Sequence, residues 1–182
     1  MALEFTTSYL TDALSLFRYY KNLAERAMAQ VTDEQLVETL DGEMNSIATI
    51  VKHMTGNMRS RWPNFLVIDG ESATRDRDAE FVDPPRGRAE LMGLWQEGWG
   101  CVFRELEPLT EADLSRKITI RGEAHSVMQA INRQLAHYSY HSGQIVFLAK
   151  HFRAEGWKTL TVARGESQEF NRRVARGEAS QR

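Results

Sequence analysis

Helical periodicity in four segments is the feature that most limits the fold of this 182-residue chain. Apolar residues recur at intervals of three and four, the spacing that places them on one face of an α-helix. The segments run from Leu10 to Met28, from Ile47 to Trp62, from Leu91 to Leu106, and from Ser126 to about His151 or Phe152. Four amphipathic helices of this length in one domain predict an all-α fold, a four-helix bundle.

The connections between these helices are longer than the loops of a simple up-down bundle, so we expect long crossover connections. Residues 64–83 mix glycine and serine with alternating acids and arginines, which predicts a surface connection, and Asp83-Pro84-Pro85 is a plausible helix start. Lys117–Glu123 predicts a short hairpin before the last long helix, and Ser126–Gln129 fits a helix capping box. Residues 1–160 are predicted to form the bundle and residues 161–182 a charged tail, packed on it or extending from it.

Composition narrows the class of protein. Hydrophobic residues make up 42% of the chain and charged residues 26%, which is typical of a globular domain and not of a disordered chain. A net charge of -2 gives no reason to expect nucleic acid or an anionic membrane as a partner. We find no apolar run of about 20 residues and no signal-peptide pattern, and Cys101 is the only cysteine. We therefore expect a cytoplasmic protein that contacts neither membrane nor nucleic acid.

Two histidines of the last helix give the clearest chemical signal. His137 and His141 are four residues apart, so their Cβ atoms lie about 5–6 Å apart on one side of the helix, at the border of its apolar face. This spacing lets a helix offer two imidazoles to one metal ion. The alternative is that each ring only makes a hydrogen bond, because the pair lacks the glutamate of the zincin motif. His53 also flanks a core stripe, but spacing alone does not bring it to the other two.

The residues around these histidines resemble a known superfamily. Ile50–Met54 and Leu135–Ile145, the latter with the sequence LAHYSYHSGQI, are similar to the DinB/YfiT-like metalloenzyme superfamily, and Gly165–Asn171 resembles the tail of one uncharacterised branch of it. The resemblance covers most of the chain. It implies a four-helix bundle with crossed connections and one divalent metal ion held by three histidines, which correspond here to His53, His137 and His141.

Such a donor set would favour particular metals. Three neutral imidazoles suit zinc or nickel, and also iron or cobalt, better than magnesium or calcium, which prefer oxygen. Three protein ligands leave one coordination position open, as in catalytic zinc sites. No carboxylate lies within one helical turn of any of the three histidines on its own face. The sequence therefore predicts a site that keeps the full double charge of the metal and favours an anionic ligand such as thiolate or hydroxide.

Asn57 and Gln144 are weaker candidates for the site. Asn57 lies one turn after His53 and is either a group behind the ligands or a surface polar residue. Gln144 lies seven residues after His137 and either orients a substrate or faces solvent.

The preferred functional hypothesis is a metal-dependent enzyme that acts on a small molecule. Some relatives within the resemblance use low-molecular-weight thiols, which favours a thiol S-transferase-like reaction, with a hydrolase-like reaction as the other possibility. The second hypothesis is a non-catalytic metal- or ligand-binding protein related to stress. The third is a structural bundle whose histidines bind nothing.

A second apolar stripe on the last helix predicts a homodimer. Ala136, Tyr140, Gly143 and Phe147 recur at intervals of four, three and four, away from the core-facing Ile131. A helix that is apolar on two sides is buried on both, and a two-fold axis would place identical stripes against each other. The alternative is that the Lys117–Glu123 hairpin or the Trp157 segment covers the stripe within one chain.

Overall fold

The computed structural model describes residues 8–71 and 74–180, so residues 1–7, 72–73 and 181–182 of the predicted domain ranges lie outside the described residues. Its elements are α1 (Tyr9–Met28), α2 (Asp33–Val37), α3 (Ile47–Arg61), α4 (Arg88–Leu106), β1 (Lys117–Ile120), β2 (Glu123–Ser126), α5 (Val127–Arg153) and α6 (Ser167–Ala175). The predicted helical fold, with a hairpin before the last long helix, is confirmed.

The four long helices form a closed ring of neighbours. Helix α1 packs on α5, α5 on α3, α3 on α4, and α4 returns to α1. The first and second long helices, α1 and α3, therefore lie on one diagonal of the bundle, and α4 and α5 lie on the other. The connection from α1 to α3 and the connection from α4 to α5 each join diagonally opposite helices. Both therefore cross an end of the bundle, as predicted.

An aromatic cluster joins the four helices in the core. Phe17 of α1 contacts Trp62 at the end of α3 and Trp99 of α4, with ring centroids 6.3 and 6.1 Å apart. Trp99 contacts Tyr138 of α5 at 5.5 Å. These rings are fully buried and meet edge to face, an arrangement worth about 0.5–1.5 kcal/mol per pair beyond the burial of apolar area.

The starts of the two later helices differ in how well the sequence predicts them. The capping box of α5 is confirmed: Ser126 Oγ accepts a hydrogen bond from Gln129 N, and Gln129 Oε1 accepts one from Ser126 N. The predicted start of α4 at residues 83–85 is wrong, because α4 begins at Arg88. Arg88 donates hydrogen bonds to the carbonyl oxygens of Met28 and Val31, so a distant turn after α1 decides where α4 begins.

The connection between α3 and α4 is more than the predicted surface loop. Phe65 and Glu80 are buried, and a 3₁₀ turn at Asp78–Phe81 packs on α3. The Gly70 amide donates to the Thr119 carbonyl oxygen at 2.8 Å, which ties the connection to β1. The sequence analysis did not predict these buried positions, because the alternating charges of this segment are typical of a surface loop.

The charged tail contains a helix that the sequence analysis did not predict. Arg172 Nε donates to Glu169 Oε2 at 2.9 Å, and this pair at a spacing of three supports a short exposed helix. Residues before it follow the end of α1, where Arg26 donates to the Leu160 carbonyl oxygen. The division of the chain at residue 160 stays a prediction. None of the helices in the described ranges has the length and apolarity needed to cross a membrane.

The second apolar stripe of α5 is open in the single chain. Tyr140 and Phe147 are each 61% exposed, and Ala136 and Gly143 are also exposed. Within the described ranges, neither the hairpin nor the Trp157 segment covers the stripe, so that alternative is wrong. The homodimer itself stays a prediction.

We expect the wild-type protein to be a dimer of the 20.9 kDa chain, and the double variant Tyr140→Glu with Phe147→Glu to be a monomer. Carboxylates at these positions would be desolvated and would face like charges across a two-fold axis. Light scattering at micromolar concentration measures the mass.

The matched control is Val67→Glu with Ile68→Glu, which places the same charges on exposed apolar residues outside the stripe. A wild type of monomer mass, or a stripe variant that stays dimeric, would contradict the prediction.

Candidate metal centre

Three histidines from two packed helices converge at one point. His53 comes from α3, and His137 and His141 come from successive turns of α5. The His137 Nε2 atom lies 3.0 Å from His141 Nε2 and 3.4 Å from His53 Nε2, and all three ligand atoms lie within 4.8 Å of one another. The structure thus brings together the three residues that the sequence predicted as ligands.

The other ring nitrogen of each histidine faces an oxygen acceptor. The Nδ1–acceptor pairs are His53 with Glu80 Oε2 at 2.8 Å, His137 with Gln134 Oε1 at 3.3 Å, and His141 with Gln144 Oε1 at 2.7 Å. Such partners fix the orientation and the tautomer of a metal-binding imidazole. These contacts favour the tautomer in which Nδ1 carries the hydrogen and the Nε2 lone pair faces the cluster.

The convergent nitrogen atoms fit a divalent metal ion. Three lone pairs at this separation have no hydrogen to share, and a metal ion between them could satisfy all three. Nitrogen ligands about 2.0–2.1 Å from a tetrahedral zinc ion are separated by about 3.3–3.4 Å. The two nitrogen–nitrogen distances of 3.0 and 3.4 Å are close to that spacing.

Glu80 is a site residue that sequence reasoning missed. It lies 27 residues from His53 in the connection after α3, and the buried Arg75 holds it through two hydrogen bonds at 2.7 and 2.9 Å. Burial alone would raise the pKa of Glu80, but the hydrogen bonds from His53 and Arg75 hold it below the ordinary value. The sequence analysis considered only carboxylates on the histidines' own helix faces, so it did not anticipate this carboxylate from a distant segment. Because Arg75 balances the charge of Glu80, a metal in the site would still favour an anionic ligand.

Gly56 makes room for this carboxylate. It follows His53 by one turn of α3, and a Cβ atom at this position would lie only 2.2 Å from Glu80 Oε1. Any other residue at position 56 would therefore push Glu80 away from His53. No local sequence signal marks this glycine, because the atom it accommodates comes from a distant segment.

Asn57 is buried at the wall of the site, so the interpretation of it as a surface polar residue is wrong. Its Oδ1 accepts a hydrogen bond from the Tyr138 hydroxyl at 3.0 Å, and that hydroxyl accepts one from Trp62 Nε1 at 2.9 Å. Tyr138 is fully buried in the core. This chain of hydrogen bonds fixes the Asn57 amide against the core.

Gln144 orients His141. The sequence analysis expected it either to orient a substrate or to face solvent, and neither alternative describes this contact. Its Oε1 faces His141, and its Nε2 donates to the Tyr140 hydroxyl at 3.0 Å. Gln134 acts in the same way on His137 and was missed. Each glutamine lies three residues from its histidine on α5, a helical spacing that could have identified both.

Burial keeps the histidines of α5 neutral. Burial and the neighbouring histidines lower the pKa of His137 to about 3, and burial lowers the pKa of His141 to about 4. Both rings therefore present unprotonated Nε2 atoms at neutral pH. They face a cavity of about 480 Å³ whose lining includes Asn57, Phe81 and Tyr140.

The fold and this site define a helical-bundle protein with a three-histidine cluster that could bind a metal ion. The chain belongs to the family described as "Protein of unknown function (DUF1572)", which matches residues 4–166 and so includes all three histidines. Comparisons with curated proteins and with solved structures give no match. The relation to the DinB/YfiT-like superfamily stays a prediction.

We expect the metal-free protein to lose stability as the pH falls from about 6.5 towards 4. The unfolded chain binds protons at His137 and His141 below 6.5, whereas the folded protein binds them only near 3 and 4. Each group therefore removes at most about 1.4 kcal/mol of unfolding free energy per pH unit in this window. Urea denaturation of chelator-treated protein between about pH 7 and pH 5 measures the slope.

The double variant His137→Gln with His141→Gln is expected to show a shallower slope. His151→Gln, which replaces an exposed histidine at the end of α5, is the control and should keep the wild-type slope. Equal slopes in the double variant and the wild type would show that burial of these two rings does not couple folding to pH.

Proposed function

We propose that the protein is a divalent-metal-dependent enzyme that acts on a small molecule, with His53, His137 and His141 as the metal ligands. The observation that carries this proposal is the arrangement of the three imidazoles. Their Nδ1 atoms are occupied by oxygen acceptors, and their Nε2 atoms converge beside a cavity.

The donor atoms support zinc or nickel, with iron or cobalt as further candidates. All three are imidazole nitrogens, and the only carboxylate that contacts a histidine of the cluster in the described chain binds Nδ1 of His53. A divalent ion in such a site acts as a Lewis acid and stabilises an anion beside it.

The cavity favours transfer of a thiol over hydrolysis. No aspartate or glutamate of the described ranges lines the cavity, so these residues offer no carboxylate as a general base there. A thiol is a stronger acid than water, so beside a metal ion it would release its proton to the solvent without such a base. Its sulfur then forms a bond to an electrophilic carbon, and the leaving group departs with the electron pair of the broken bond. The class we propose is therefore thiol S-transferase-like, with a low-molecular-weight thiol as one substrate and hydrolase-like activity as the second reaction.

A non-catalytic metal- or ligand-binding protein related to stress is the alternative function. An ion sealed in by apolar side chains would favour it. The wall here carries Asn57, arginines and the Tyr140 hydroxyl, and Phe81 is its one large apolar residue among those described, so the cavity supports access by a polar molecule.

We expect protein purified without an affinity tag to contain about one divalent ion per chain, and the variant with alanine at His53, His137 and His141 to contain none. Removal of the three imidazoles leaves no nitrogen donor at the cluster. Elemental analysis gives the metal content, and melting with and without chelator shows whether the ion stabilises the fold.

Two glycine variants test the contact between Glu80 and His53, one as the test and one as its matched control. Gly56→Ala should weaken metal binding about 10–100-fold, because it displaces Glu80 from His53. Gly93→Ala makes the same change on α4, where a Cβ would meet nothing within 4 Å, and should bind metal normally. Equal metal in the wild type and the triple alanine variant would refute the metal site.

We expect the metal-loaded protein to accelerate the reaction of a low-molecular-weight thiol, such as glutathione or cysteine, with an activated aryl halide. The metal would stabilise the thiolate, so chelation and the triple alanine variant should both abolish the acceleration. The loss of free thiol measures the rate, and an activated ester assayed in parallel measures hydrolysis. Metal-loaded protein that accelerates neither reaction would favour the non-catalytic alternative.

A further inference from the structure

The cavity beside the histidines has a strongly positive wall. Its lining includes Arg61, Arg75, Arg77, Arg121 and Arg133, and no acidic residue in the described part of the chain lines it. The whole chain has a net charge of -2, so this concentration of positive charge is local. A cavity lined in this way raises the local concentration of anions.

Two carboxylates behind the wall neutralise part of this charge. Glu80 binds Arg75, and Glu71 contacts Arg121 at 3.0 Å and Arg61 more loosely at 3.5 Å. These contacts leave more arginines than carboxylates at the cavity.

Two of the arginines have no carboxylate partner among the described residues. The Arg77 guanidinium lies 5.1 Å from the centre of the Phe81 ring, and Arg133 is exposed on α5. Both are therefore available to a ligand in the cavity.

Arg61 is the most unusual of these residues. Its side chain is only 3% exposed, and its Nε and Nη1 atoms have no hydrogen-bond partner within the described ranges. Burial lowers its pKa, Glu71 opposes that effect, and the charges of Arg133 and Arg121 add to it. A buried guanidinium with unused donors is costly to the fold unless a ligand completes its contacts.

Asn57 adds a neutral donor to the same wall. The Tyr138 hydroxyl donates to Asn57 Oδ1, which directs that oxygen to the core and leaves the amide N–H group for the cavity. The wall therefore offers positive charge and hydrogen-bond donors together. That combination suits an oxyanion.

We propose that this arginine wall binds an anionic group, a carboxylate or a phosphate, of the small molecule on which the protein acts. The proposal relies on the proposed function in treating this ligand as the substrate. A cavity of about 480 Å³ has the size of sites that hold small molecules, so the ligand is a compact anion and not a polymer. The anionic group would anchor the substrate while the rest of it extends towards the histidines.

Titration calorimetry of chelator-treated protein tests the proposal, with inorganic phosphate and acetate as separate probes at constant ionic strength. We expect saturable binding of at least one probe, and the tighter one identifies the kind of anion. Arg133→Gln should weaken this binding about tenfold, since it removes a charge-assisted contact without disturbing a buried residue. Arg104→Gln is the matched control, because Arg104 is an exposed arginine outside the cavity, and it should bind as the wild type does.

Arg61→Met separates a ligand role from a structural role. We expect this variant to melt no lower than the wild type in the absence of anion and to lose anion binding. It removes a buried guanidinium with two unsatisfied nitrogens, while Glu71 keeps its contact with Arg121. If Arg61→Met does not fold, Arg133→Gln decides the question. Absence of saturable binding by either probe, or equal affinity in Arg133→Gln and the wild type, would overturn the proposal. Protein that binds an anion but no metal would refute the metal site alone.

Discussion

Trp62 at the end of α3 donates a hydrogen bond to the hydroxyl of Tyr138 on α5, and this buried contact fixes the two helices that carry the histidines. The same hydroxyl binds Asn57, so core packing and the site share one set of contacts. The aromatic rings around Tyr138 hold it in place from α1 and α4. The position of His53 relative to α5 therefore depends on the packing of the whole bundle.

The electrostatics of the site follow from burial. Rings in a low-dielectric environment resist protonation, so His137 and His141 stay neutral and each keeps a nitrogen lone pair. Glu80 can enter the same environment as an anion because Arg75 forms two hydrogen bonds with it. The arginines of the cavity then make the approach to the histidines positive, which matches the anionic ligand that a three-imidazole site favours.

The connection between α3 and α4 supplies much of the chemistry. It carries Glu80 and Arg75 against the back of His53, and Phe81 stacks on the His53 ring with centroids 4.8 Å apart. Lys52 of α3 donates to the Val82 carbonyl oxygen and fastens the end of this turn. A segment with few sequence signals of structure thus completes the surroundings of His53, because its partners are distant in sequence.

The sequence by itself determined what depends on near neighbours along the chain. Periodic apolar residues defined the four long helices, Ser126 and Gln129 defined the start of α5, and the spacing of His137 and His141 placed both rings on one side of it. Contacts of this kind lie within one or two helical turns, so residue type and spacing suffice to find them.

Only the tertiary structure decided which distant residues meet. It brought His53 to the other histidines, placed Glu80 behind it, buried Asn57 and Arg61, and moved the start of α4 to Arg88. These outcomes depend on how α3, α5 and the long connection pack together. No local pattern encodes that packing, because the free energy of each contact comes from burial and charge pairing between segments far apart in the chain.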